Sequence, residues 1–147
     1  MSAVNEVRVE LYRSFMEAER APEPREIADR LQLPVGAVAS ALRTLADEDV
    51  IAFLPDTEDI WLVHPFCATP APFQVTVEQR RWDAICIWDA LGILALLDSD
   101  GSLSTTCPDC GEGIVLEILG GEVMAPPSAI VHFGVPVSRW YEDVGFT

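Results

Sequence analysis

Apolar positions recur along the first fifty residues at spacings of three and four, the period of a helix with one buried face. Val7, Leu11, Phe15 and Met16 mark such a stripe between Val4 and Ala18, and Pro22 and Pro24 end it. Arg25–Leu31 reads as a short second helix opened by Pro24 in its first turn. Leu33-Pro34-Val35-Gly36 turns the chain, and Val38, Leu42 and Leu45 predict a third helix from Val35 to Glu48. The period then changes. Ile51–Phe53 and Ile60–Val63, with Pro55-Asp56-Thr57-Glu58-Asp59 between them, predict a β-hairpin. Three helices and a hairpin give a winged helix-turn-helix outline over residues 1–63.

From His64 the pattern stiffens. Pro65, Pro70 and Pro72 forbid a helix, so residues 64–77 read as an extended connector ending in a strand at Gln74–Val77. The third region, residues 78–147, opens on the apolar run from Arg81 to Ile93, expected to be helical from about Cys86. The helix continues through Leu97, with Gly101 as a helix stop or turn residue. Ser102–Thr106, Gly113–Leu119, Val123–Pro127 and Ala129–Pro136 are strand-like, with Gly120-Gly121 as a turn. The expected class is α+β: a winged-helix-like three-helix lobe with a hairpin, then a small mixed or antiparallel β lobe with one buried apolar helix.

Half of the 147 residues are hydrophobic, enough for a proper core and too many for a disordered chain. The formal charge is −15, and all nine bases are arginine. Six arginines face thirteen acids up to residue 70, and three face eleven after it, so the deficit is spread along the chain. Such a field repels phosphate backbones and anionic lipid. The would-be recognition helix offers only Arg43 as a base, beside Asp47, Glu48 and Asp49, which argues against a DNA-binding regulator. No stretch reaches the roughly 18 apolar residues of a membrane span. The first residues, Met1–Val7, lack a basic start and an apolar signal core, and the protein reads as cytoplasmic. In that compartment Cys67, Cys86, Cys107 and Cys110 are expected to be reduced, metal-binding or catalytic.

The candidate chemistry lies in the central run. Cys86 and Asp89 stand three apart, so a helix there sets a thiol and a carboxyl on one face, with Trp82 and Trp88 to exclude water. A thiolate is a soft ligand and nucleophile, and a carboxyl carries a proton. The plainer alternative is a buried cysteine acting as a small hydrophobe. Cys107-Pro108-Asp109-Cys110-Gly111 has the shape of half a zinc knuckle. Cys67, Cys86, His64, His132 or acids would have to complete it. A tight turn with two reduced thiols and a redox pair are the other readings. His64 and Cys67, three apart in extended chain, would point to opposite faces.

In this order the pieces resemble the alkylmercury lyase (organomercurial lyase) family. The resemblance rests on the first lobe, His64-Pro65-Phe66 with Pro70 and Phe73, and Trp82 followed by Cys86-x-x-Asp89-Ala-Leu-Gly-Ile. It continues through Cys107, His132-Phe133, Pro136 and Trp140–Thr147. It implies protonolysis of a carbon–mercury bond, with Cys86 as the first metal-capturing thiolate, Asp89 as the proton-handling carboxyl and Cys107 in a structural role. The family's second capturing cysteine would fall at Thr147 or just past it, so the chain as given is expected to lack that thiol and the strand after it. The implied partners are a small organometal substrate and cellular thiols. No cofactor is implied: mercury is substrate and product, and zinc at Cys107 and Cys110 is a separate option. The alternatives are a thiol-based metal-binding or metal-sensing module, with Cys86, Cys107 and Cys110 as ligands, and, less well supported, a winged-helix transcription regulator.

Overall fold

A computed structural model describes residues 2–145. Two compact units divide between Thr69 and Pro70, inside the proline-rich stretch.

The first unit begins with α1 (Ala3–Ala18), α2 (Pro24–Leu31) and α3 (Val35–Asp47). Each start and stop has a local cause. The Ser2 side chain caps α1 by accepting from the Asn5 amide. Glu23 and Glu26 form a reciprocal capping box on α2. Glu19 and Gln32 end their helices in left-handed conformations, where each backbone N–H turns back onto the preceding turn. Of the stripes foreseen from spacing, Val7, Leu11 and Phe15 on α1 and Val38, Leu42 and Leu45 on α3 are buried, while Met16 is half-buried. Three antiparallel strands follow, β1 (Ile51–Phe53), β2 (Ile60–Val63) and β3 (Phe66–Cys67). Phe66 is fully buried and stacks on Phe15 with ring centroids 5.0 Å apart. Glu10 is also buried, and its carboxylate accepts from Arg30 at 2.7 Å and Arg13 at 3.1 Å. Two bonded guanidinium groups explain how a carboxylate is tolerated there. Arg43, the single base on α3, is held by Glu58 at 2.6 Å.

The second unit is an antiparallel sheet with one helix. Its strands are β4 (Phe73–Val77), β5 (Arg80–Ala84), β6 (Gly101–Thr106), β7 (Gly113–Leu119) and β8 (Glu122–Met124), in the order β5-β4-β6-β7-β8. The helix α4 (Ile87–Leu97) lies against β4, β5 and β6. Ala90, Ile93 and Leu94 face the sheet and meet a core that includes Val75, Trp82, Ala84 and Leu103. This is the period-3.6 stripe of a helix over a period-2 strand face.

Four expectations need correction here. β5 was not foreseen, although Trp82 and Ala84 point in and Arg81 points out, a period of two. Gly101 is not the helix stop. Asp98 ends α4 in a left-handed conformation, whereas a Cβ on Gly101 would meet the Thr76 carbonyl oxygen at 2.6 Å and the Leu94 side chain at 2.7 Å. That glycine lets the helix approach the sheet. Residues 129–136 form no strand: Pro126 begins a turn closed by the Ala129 amide, and a 3-10 helix follows at Val137–Glu142. Finally, α4 is buried on one face only, with Trp88 and Leu96 exposed. No described helix is long and apolar enough to cross a membrane.

Candidate functional site

Cys86 is the N-cap of α4, extended at φ −144° and ψ 169°, where strand becomes helix. An N-cap side chain normally offers oxygen to the free amides of the first turn. Here sulfur takes that place, and Cys86 Sγ accepts from the Asp89 N–H at 3.4 Å. The Trp88 amide also bonds to it. Three residues along, the Asp89 carboxyl turns back within hydrogen-bonding reach of the same thiol. The spacing Cys86-x-x-Asp89 thus sets the N-cap sulfur against the Asp89 amide, which fixes the relative position of both residues.

Burial is the main influence on the thiol and pushes it above the ordinary thiol range. The Asp89 and Trp88 amides pull it down, while the negative charge of Asp89 and its bond to the thiol add to the rise. The site thus sets a thiol of raised pKa beside a carboxyl group. Both residues are half-buried, open enough for a small ligand and sheltered enough to strengthen their coupling.

Of the two tryptophans expected to shield this pair, Trp82 is buried, with the Arg80 guanidinium 4.7 Å over its ring. Trp88 is 64% exposed and does not serve as a lid. It occupies the second position of α4, on the side away from Ala90 and Ile93. Nearby Asp83 has a structural task, accepting from the Ala71 amide at 3.1 Å.

The other cysteines belong to other elements. Cys107 and Cys110 sit on the turn joining β6 to β7. The amide N–H groups of Cys110 and Asp109, with the Cys110 thiol, lower the Cys107 thiol below its ordinary value. Cys67 is buried on β3 in the first unit, 3.5 Å from the Thr69 hydroxyl. His64 is half-buried and its carbonyl accepts from the Tyr12 hydroxyl at 2.7 Å, while His132 is exposed. Among the described residues no three His, Cys, Asp or Glu side chains are grouped to hold a metal ion. The expected set of Cys86, Cys107 and Cys110 is therefore not assembled, and the half-knuckle gains no further ligands. The place matched to a second capturing cysteine, at or after Thr147, lies outside the described residues.

Sequence reasoning paired Cys86 with Asp89 through helical spacing and missed the contribution of the Trp88 and Asp89 amides. The available signal was an acid three residues after a polar residue at the head of an apolar run.

The sequence profile of the alkylmercury lyases matches residues 66–147, more than half of the chain, and includes Cys86, Asp89, Cys107 and Cys110. The chain belongs to the alkylmercury lyase family. Among solved structures it resembles the crystal structure of the mercury-bound form of MerB2, with a TM-score of 0.67 and 19% identity. That match covers 86% of this chain and 60% of the MerB2 chain, so this alkylmercury lyase family member spans about three-fifths of its structural neighbour. At this identity the likeness is one of fold. No curated protein matches the chain.

Proposed function

We propose that the chain cleaves carbon–mercury bonds, with Cys86 capturing the metal and Asp89 delivering a proton to the departing carbon. The observation that carries this reading is the Asp89 carboxyl held within hydrogen-bonding reach of the Cys86 thiol at the head of α4. Membership of the alkylmercury lyase family supports it.

The steps balance without a cofactor. The Cys86 thiol passes its proton to the Asp89 carboxylate as sulfur bonds to the mercury of an organomercurial cation. Sulfur is the preferred donor because thiolates favour soft metals over oxygen ligands. Asp89, now a carboxylic acid, gives the proton to the carbon bound to mercury. The carbon–mercury electron pair forms the new carbon–hydrogen bond, and hydrocarbon leaves. Mercuric ion remains on Cys86 until solution thiols remove it. Burial of the thiol keeps the proton in the site until the metal displaces it, so capture and proton delivery are linked. All four cysteines are free, which suits a reducing, cytoplasmic setting with abundant small thiols.

The test is exposure of the purified chain to phenylmercury with excess small thiol, followed by benzene in the headspace. Benzene released above the buffer rate is expected. Release at the buffer rate, with phenylmercury bound to Cys86, would reduce the protein to a capturing module.

A further inference from the structure

We infer that Cys107 and Cys110 form a second thiol site, on the surface, that holds one soft metal cation between two sulfurs. The inference rests on the turn between β6 and β7 and does not depend on the cleavage reading.

The ladder of the β6–β7 hairpin ends at the pair Thr106 and Gly113. The loop beyond it closes on itself. The Cys107 amide donates to the Glu112 carbonyl at 2.8 Å, and the Gly111 amide donates to the Cys107 carbonyl at 2.9 Å. Gly111 makes the return possible at φ +76°, with open space around it. Inside this loop the amides of Asp109 and Cys110 face the Cys107 sulfur, and the Cys110 thiol lies in hydrogen-bonding reach of it. The closed loop thus holds both cysteines on one short turn with their thiols near one another, ready for a shared ligand. Cys110 is exposed and Cys107 half-buried, so a cation reaches the pair from solvent. Asp109 and Glu112, both exposed, add negative charge, and the loop contains no base.

The donor set decides the class of cation. A structural zinc site takes four ligands. Here the described residues provide no grouped third ligand. Paired thiolates without oxygen or imidazole select soft cations. Binding of a dication releases one proton from each thiol to solvent, leaves a neutral pair of thiolate–metal bonds and involves no change of oxidation state.

The test uses the reduced full chain carrying Cys67→Ser and Cys86→Ser, which leaves only this pair. Mercuric ion supplied as its bis-glutathione complex is the probe, followed by thiolate–metal absorption and by counting the glutathione set free. One equivalent of ion retained with two glutathiones released is the expected result. Adding Cys110→Ser should release one glutathione and weaken retention by about 10²–10⁴-fold, the advantage of a second linked ligand. Equal retention by the pair and by the single cysteine would overturn the proposal, as would one glutathione released with both cysteines present. Since Cys67 is buried, the Cys110→Ser change is repeated with Cys67 and Cys86 intact. There it should remove one equivalent of tightly held ion, and an unchanged stoichiometry counts against the site. No hydrocarbon is measured in either arm, so a failure of cleavage leaves this result readable.

Discussion

The second unit carries two kinds of thiol, and the contrast between them shows what sets a cysteine's task. Cys86 and Cys107 each receive two backbone N–H groups from the residues that follow them. At the head of α4, burial and a neighbouring carboxyl outweigh those amides and raise the thiol above its ordinary range. At the β6–β7 turn the amides and the Cys110 thiol outweigh burial and the charge of Asp109, and the Cys107 thiol is lowered. Similar donors therefore accompany opposite acidities. The balance between amide donors and burial decides between them. On the proposed reading, one thiol exchanges its proton with a carboxyl and the other meets a cation from solution.

The contrast can be broken at several points. Cys86→Ser is expected to have the largest effect, taking phenylmercury cleavage down to the buffer rate while the surface pair still takes up mercuric ion; headspace benzene and metal stoichiometry read the two arms. Gly101→Ala forces a methyl group to within 3 Å of backbone and of Leu94. It should destabilise the chain by about 1–3 kcal/mol in denaturant titration, the usual cost of overpacking. It should also lower cleavage by shifting α4, while alkylation of Cys107 stays unchanged.

A pH series of alkylation then compares the thiols directly. Cys107, lowered by its amides, should react at a lower pH than an ordinary cysteine, and Cys86, raised by burial, only at a higher one. Mass mapping of the labelled peptides gives the order. Gly111→Ala should have the smallest effect, about 1–2 kcal/mol of local strain from a left-handed non-glycine residue. It should change Cys107 alkylation and leave benzene release alone.

Much of this was legible in the sequence, for identifiable reasons. The first unit was readable because proline breaks and helical stripes agree with one another, and Val7, Leu11 and Phe15 are buried as their spacing demands. The pairing of Cys86 with Asp89 was readable because positions three apart at a helix start share one face. β5 was hidden because Trp82 and Ala84 run into the apolar stretch of α4, and the change from period two to period 3.6 falls within a few residues. Trp88 misled because hydrophobicity does not say which side of a helix a residue takes. Residues 129–136 looked like a strand by composition, yet the turn from Pro126 to Ala129 and Pro136 bracket them, and no described strand pairs with them. The distance between the two thiol regions depends on tertiary packing, so the expected three-cysteine set could not be checked from spacing.

The most direct measurement of the central claim is a single-turnover comparison of Asp89→Asn with the parent chain on phenylmercury. Asparagine keeps the size of the side chain and the backbone cap but cannot accept the thiol proton and hand it on. Capture by Cys86 should persist, with phenylmercury retained on the protein at one equivalent. Benzene release should fall by about 10²–10⁴-fold, the usual loss when a positioned proton donor is removed. Equal benzene release by the two proteins would contradict the account, because the proton would then come from another source and the carboxyl beside Cys86 would only cap the helix.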